Sequence, residues 1–121
     1  MAKATPDAIL DAMADAIIAD ATTLYVCSAQ PANFAGIAAV ALADVTIDSG
    51  DFTKGNGDSS GRKVTIGQQS TITIDSSGTA THIALASADT LLYVTTCTSQ
   101  ALTAAGTVTV PAWDIEVADP T

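Results

Sequence analysis

RKVTIGQQSTITIDSSGTATHIALASADTLLYVTTCTSQALTAAGTVTVPAWDIEV, residues 62–117, is the stretch that decides the fold. It holds five short runs, 62–66, 70–75, 79–86, 90–98 and 106–117, rich in Thr, Val, Ile and Leu. Turn formers punctuate them every eight to twelve positions or so, the cadence of an antiparallel β domain. Alternation in 79–86 places Ile83 and Leu85 inward with Thr79 and Thr81, and His82 on the other face. Asp75-Ser76-Ser77-Gly78 reads as a hairpin turn with Gly78 at positive φ. In the last run the alternating faces swap near Pro111, which predicts a bulge or an edge position there.

Working outward, 22–28 (TTLYVCS) reads as a strand and 29–36, with Pro31, Asn33 and Gly36, as a loop. Residues 38–48 (AAVALADVTID) permit a helix as far as Ala43, but the β-branched end favours a strand. Residues 49–61 (SGDFTKGNGDSSG) hold four glycines in 13 positions and read as a flexible loop pinned by Phe52. The segment 23–30 (TLYVCSAQ) echoes 91–100 (LLYVTTCTSQ), as two equivalent strands would.

In front of the β body, Thr5-Pro6-Asp7 is a helix start. Leu10, Met13, Ala14, Ile17 and Ala21 then recur at i, i+3, i+4, i+7, flanked by Ile9 and Ile18. Asp7, Asp11 and Asp15 form an acidic row on another face, a solvated face or a stripe that meets a partner. The expected fold class is therefore all-β, an antiparallel sandwich or small barrel with one N-terminal amphipathic helix. The 121 residues make one domain, 1–21 as arm and helix and 22–121 as β body.

Hydrophobic residues make up 48% of the chain and aromatics only 4%, with alanine contributing 24 positions. Small side chains bury little area each, at about 25 cal/mol per Å². Self-association or docking on a larger body would supply more. The net charge of −9 repels phosphate backbones and excludes nucleic acid as a partner. Residues 1–6 carry one Lys and no apolar run, and no stretch approaches the length of a membrane span, so we expect cytosolic synthesis and no membrane partner. In a reducing compartment Cys27 and Cys97 are expected as free thiols.

Chemistry is sparse. Gly57-Asp58-Ser59-Ser60-Gly61 resembles the nucleophile segment of chymotrypsin-like proteases, but its fourth residue is Ser and the one histidine, His82, follows it. The same loop imitates a calcium loop, yet its twelfth position is Gly67 instead of Glu. A single His makes no zinc site. Asp114 and Glu116 share a strand face without the aromatic-lined cleft a glycosidase needs. The residues point to no catalytic, cofactor or metal site, and to no enzyme.

The order of features carries a resemblance. An amphipathic helix leads to 24–31 (LYVCSAQP), an Ala-rich strand, a Gly-rich insert, 74–83 (IDSSGTATHI), and a closing 105–110 (AGTVTV) with Trp113 beyond. This resembles small virion structural and accessory proteins of tailed phages and prophages. The resemblance implies a capsid decoration (cement) protein that binds and stabilises the head shell, made in the bacterial cytoplasm and residing in the virion. Its partners would be the major capsid protein or another virion protein, and copies of itself, as a trimer if it sits where three capsid subunits meet. A head–tail or tail/fibre accessory, or a solitary carbohydrate- or protein-binding β domain, are the alternatives. Expected partner contacts are Ile9, Leu10, Met13 and Ile17 on the helix, Phe52 and Lys54 in the loop, and Arg62 and Lys63 beside it. On this reading the segment 1–20 could be removed with the β body still folded.

Overall fold

A computed structural model describes residues 7–57 and 61–117, with the backbone alone for residues 7, 8, 10, 13 and 117. It is an antiparallel β-sandwich that does not close into a barrel. The elements run α1 (Asp7–Asp20), β1 (Thr23–Cys27), α2 (Phe34–Val40), β2 (Ala41–Thr46), a 3-10 turn (Ser49–Asp51), β3 (Phe52–Asn56) and β4 (Arg62–Ile66). Then follow β5 (Gln69–Thr73), β6 (Gly78–Ala86), β7 (Leu91–Leu102), β8 (Thr107–Val110) and β9 (Trp113–Val117).

One sheet has the order β2-β1-β6-β7, with β1 and β6 in its middle. Burial on both faces explains why β6 reads Ile-Ala-Leu-Ala: Ile83 and Leu85 face the core, and Ala84 and Ala86 are also covered. The other layer is built from β3-β4-β9 and from β5-β8. These are two stretches of one ribbon. Ile66 pairs with Trp113 and Gln69 with Val110, so the register continues across the unpaired 67–68 and 111–112. Pro111 lacks the N–H that a ladder needs, and the break falls there. The face swap expected in the last run is this break: Val108 and Val110 are buried before it and Ile115 after it.

A single core runs through both layers, from Leu24, Val26 and Leu85 to Val64, Ile66 and Ile115. Phe52 joins it, as expected of the residue that pins the 49–61 segment. Helix α1 lies against β4 and β3 and adds Ala14 and Ile17 to the same core, with Ala21 just beyond its end. The helix is thus part of the body, and removing it would uncover apolar surface on the β3–β4 layer. The Thr5-Pro6 helix start lies outside the described residues.

Several sequence expectations are corrected. There are two helices among the described residues: α2 opens at Asn33, whose side chain accepts from the Gly36 N–H, and takes up part of the 29–36 loop and the start of the expected 38–48 strand. The Gly-rich 49–61 segment is not simply a loop, because Phe52–Asn56 is a strand paired with β4. Residues 75–78 do not close a hairpin; they carry the chain from β5 in one layer to β6 in the other. Gly78 is not at positive φ; among the described glycines Gly61 is, at 73°. What requires glycine at 78 is space, since an added Cβ would lie 2.9 Å from Leu42 Cδ2. Finally, Ala80, not Thr79 or Thr81, lies inward beside Ile83 and Leu85, because the β6–β7 register shifts between Ala80 and His82.

Candidate functional site

His82 sits on β6, with Nδ1 2.8 Å from Thr81 Oγ1, and that hydroxyl lies 3.0 Å from the Ser28 carbonyl. The hydroxyl thus lies within hydrogen-bond distance of both groups, and the tautomer of His82 sets which of them receives its proton. Residues 58–60, the centre of the protease-like segment, lie outside the described residues. At its edge Asn56 accepts from Arg62 Nη1 at 2.8 Å. No three His, Cys, Asp or Glu among the described residues converge as metal ligands.

The acidic row and the basic cluster meet each other. Arg62 on β4 donates through Nε to Asp11 Oδ1 at 2.9 Å and through Nη2 to Oδ2 at 3.4 Å. Lys54 on β3 reaches Asp15 Oδ1 at 2.7 Å. The i, i+4 spacing of the two carboxylates matches the two strands beneath the helix. The Arg62 hydrogen bond holds the Asp11 carboxyl below the usual carboxylate range, and the Asp15 hydrogen bond raises Lys54. Lys63 lies 3.5 Å from Asp114 Oδ2, while Thr65 donates to Asp114 Oδ1 at 2.7 Å. Asp11 and Asp15, expected as part of a solvated face or a partner stripe, thus clamp α1 to the β3–β4 hairpin instead.

Of the other expected contacts, Ile17 and Phe52 are core residues, while Ile9 is 63% exposed. The side chains of Leu10 and Met13 lie outside the described residues.

Two features have no single-residue signal in the sequence. The lone bridge between Ala43 and Ile74 ties β2 to the end of β5 and brings Asp44 beside Asp75. Partial desolvation first, then the hydrogen bond and charge of Asp75, raise the Asp44 carboxyl. The second is a cleft of about 450 Å³ where β7 and the 108–114 segment part. Val26, Ile83, Thr95, Cys97, Val110 and Trp113 line it. Tyr93 and Trp113 stack on one another, centroids 6.0 Å apart at 29°, so each ring covers a face of the other. Trp113 Nε1 is buried without a hydrogen-bond partner.

Both cysteines are free thiols. Cys27 on β1 and Cys97 on β7 have β6 between them, roughly two strand spacings or 9–10 Å, too far for a disulfide. Burial pushes the Cys27 thiol up to about 11 and also raises Cys97, which disfavours the thiolate at neutral pH. No helix among the described residues is long and apolar enough to cross a membrane.

Comparisons with protein-family models, with curated proteins and with solved structures find no match to this chain.

Proposed function

We propose that this chain is a non-enzymatic structural protein of a phage virion, a decoration protein that covers and stabilises the head shell in many copies. The observation that carries this reading is where its charges go. Arg62, Lys54 and Lys63 are each ion-paired within the chain, so these cations hold its own fold together. Exposed carboxylates lie elsewhere on the chain, at Asp20, Asp48 and Asp89. Such a body suits a partner that presents basic groups, and it offers little to a substrate. The resemblance to small virion proteins supports the identity of that partner as a capsid subunit.

The test mixes purified protein with shells that lack it. Saturable binding in many copies, with shells more resistant to heat, supports the proposal. Salt should weaken the attachment in part, because charge provides some of it and apolar contact the rest. Absence of binding overturns the proposal. The 450 Å³ cleft beside Trp113 favours a second reading, a solitary binding module. A sugar or peptide that quenches Trp113 fluorescence at low concentration would put that reading first.

A further inference from the structure

The chain has two asparagines, and they stand in opposite chemical settings. Asn33 precedes Phe34, and its side-chain oxygen is engaged as the cap of α2, accepting from the Gly36 N–H at 2.8 Å. Asn56 ends β3, is exposed, and precedes Gly57. Arg62 Nη1 donates to Asn56 Oδ1 at 2.8 Å, and the same guanidinium is held from its other side by Asp11. A cationic donor on an amide oxygen draws electrons from Cγ and stabilises the oxyanion that forms when Cγ is attacked. The nucleophile is the backbone nitrogen of Gly57, one residue on. Glycine lets that peptide unit turn with no Cβ in the way.

We propose that Asn56 is a self-modification site, whose conversion to aspartate or isoaspartate is gated by the end of the β3–β4 hairpin. The Gly57 nitrogen gives its proton to solvent and bonds to Asn56 Cγ. The Cγ–N bond of the side-chain amide breaks, and ammonia leaves with protons from solvent. Water then opens the cyclic imide at either carbonyl. One water enters, one ammonia departs, and nothing is oxidised or reduced. The gate is the extended backbone. Asn56 pairs with Arg62 across the hairpin, and the Gly57 N–H donates to the Gly61 carbonyl at 2.9 Å. That bond occupies the nitrogen, and the extended chain turns it away from Cγ. Reaction requires the last pair to open, the kind of end fraying that costs far less than global unfolding. The product acts on the clamp between α1 and the hairpin. A carboxylate at 56 competes with Asp11 for Arg62, on a chain already at −9. Isoaspartate also adds a methylene to the main chain, which shifts Gly57 out of line with Gly61. The chemistry runs whether or not the chain coats a shell.

The experiment ages the full chain in mildly alkaline buffer, folded and in urea. Residue 56 is mapped by mass spectrometry, and an isoaspartyl methyltransferase counts isoaspartate. Both isomers should appear at 56 while Asn33 keeps its amide. The folded chain should convert about ten- to a thousandfold more slowly than the unfolded one. Gly61→Ala, which puts a side chain at φ 73°, should open the hairpin end and bring the folded rate closer to the unfolded rate. Should that variant not fold, the wild-type comparison decides alone. Aged wild type should melt below fresh protein. Asn56→Gln, whose longer side chain closes such a ring far more slowly, should melt the same before and after. Equal rates in the folded and unfolded chain would remove the gate, as would a folded rate indifferent to Gly61→Ala. A folded rate more than about a thousandfold slower would mean reaction through global unfolding alone. Any of these, conversion of Asn33 at the pace of Asn56, or ageing that leaves the melt unchanged overturns the inference.

Discussion

Asp11 on α1 and Arg62 on β4 share a side-on hydrogen-bonded pair, 51 positions apart in sequence, at 2.9 and 3.4 Å. The pair fixes the helix against the sheet that its apolar stripe covers. Because the folded carboxyl titrates below the ordinary value of 3.8, its contribution is present above that pH and lost as pH falls through the lower folded value. Asp11→Asn should therefore lower Tm near neutral pH, and wild type and variant should converge in strong acid. A gap of constant size down to about pH 2 would contradict this.

Asp44 should behave in the opposite sense. Its folded pKa is raised by desolvation and by Asp75, so ionisation costs stability. The penalty is absent below the unfolded value of 3.8 and grows as pH rises through the folded one. Asp44→Asn should raise Tm near pH 7 and leave it unchanged at about pH 3. Thermal melts at the two pH values decide it.

The helix stripe divides sharply. Ile17 is 6% exposed and Ile9 63% exposed, so Ile17→Ala should cost about 2–4 kcal/mol and Ile9→Ala no more than about 0.5. Urea denaturation with a common slope measures both. If Ile9→Ala instead impaired shell binding without loss of stability, Ile9 would be assigned to the docking face.

Two backbone positions test the local reading. Gly78→Ala should cost about 1–3 kcal/mol, because the new methyl meets Leu42. Ala105 sits at φ 74° in the turn between β7 and β8, where an L side chain is strained. Ala105→Gly should raise stability by about 1 kcal/mol. Denaturation midpoints with opposite signs for the two changes are the expected result.

The cysteines should be silent in the native protein. Near pH 8, Cys27 should resist a maleimide and Cys97 should react slowly, with two thiols titrating in denaturant. Rapid native labelling of Cys27 would mean that β1 is less protected than its burial implies.

The strands after residue 60 were legible because Val, Ile and Thr alternate between turn formers, and because Pro111 announces its own break. The 38–48 run misled because alanine suits helix and strand alike; the telling signal was Asn33, a cap three residues before Gly36. Strand β3 was hidden by its glycines, since FTKGN acquires its order from the neighbouring Arg62–Ile66. The echo of Leu-Tyr-Val in β1 and β7 was real in placement, as both strands flank β6. It is offset in register: Leu24 and Tyr93 both oppose Leu85, so Tyr25 and Tyr93 face opposite ways. The ion pairs between Asp11, Asp15 and the basic cluster required knowing that α1 lies across β3 and β4.

We propose that this acidic body coats a shell. Its most direct test is the copy number and position of the chain on purified particles, by quantitative mass spectrometry with electron microscopy. Decoration predicts density repeated over the whole head surface, in numbers comparable with the capsid subunit. A few copies confined to one vertex or to the tail, or none at all, would contradict it.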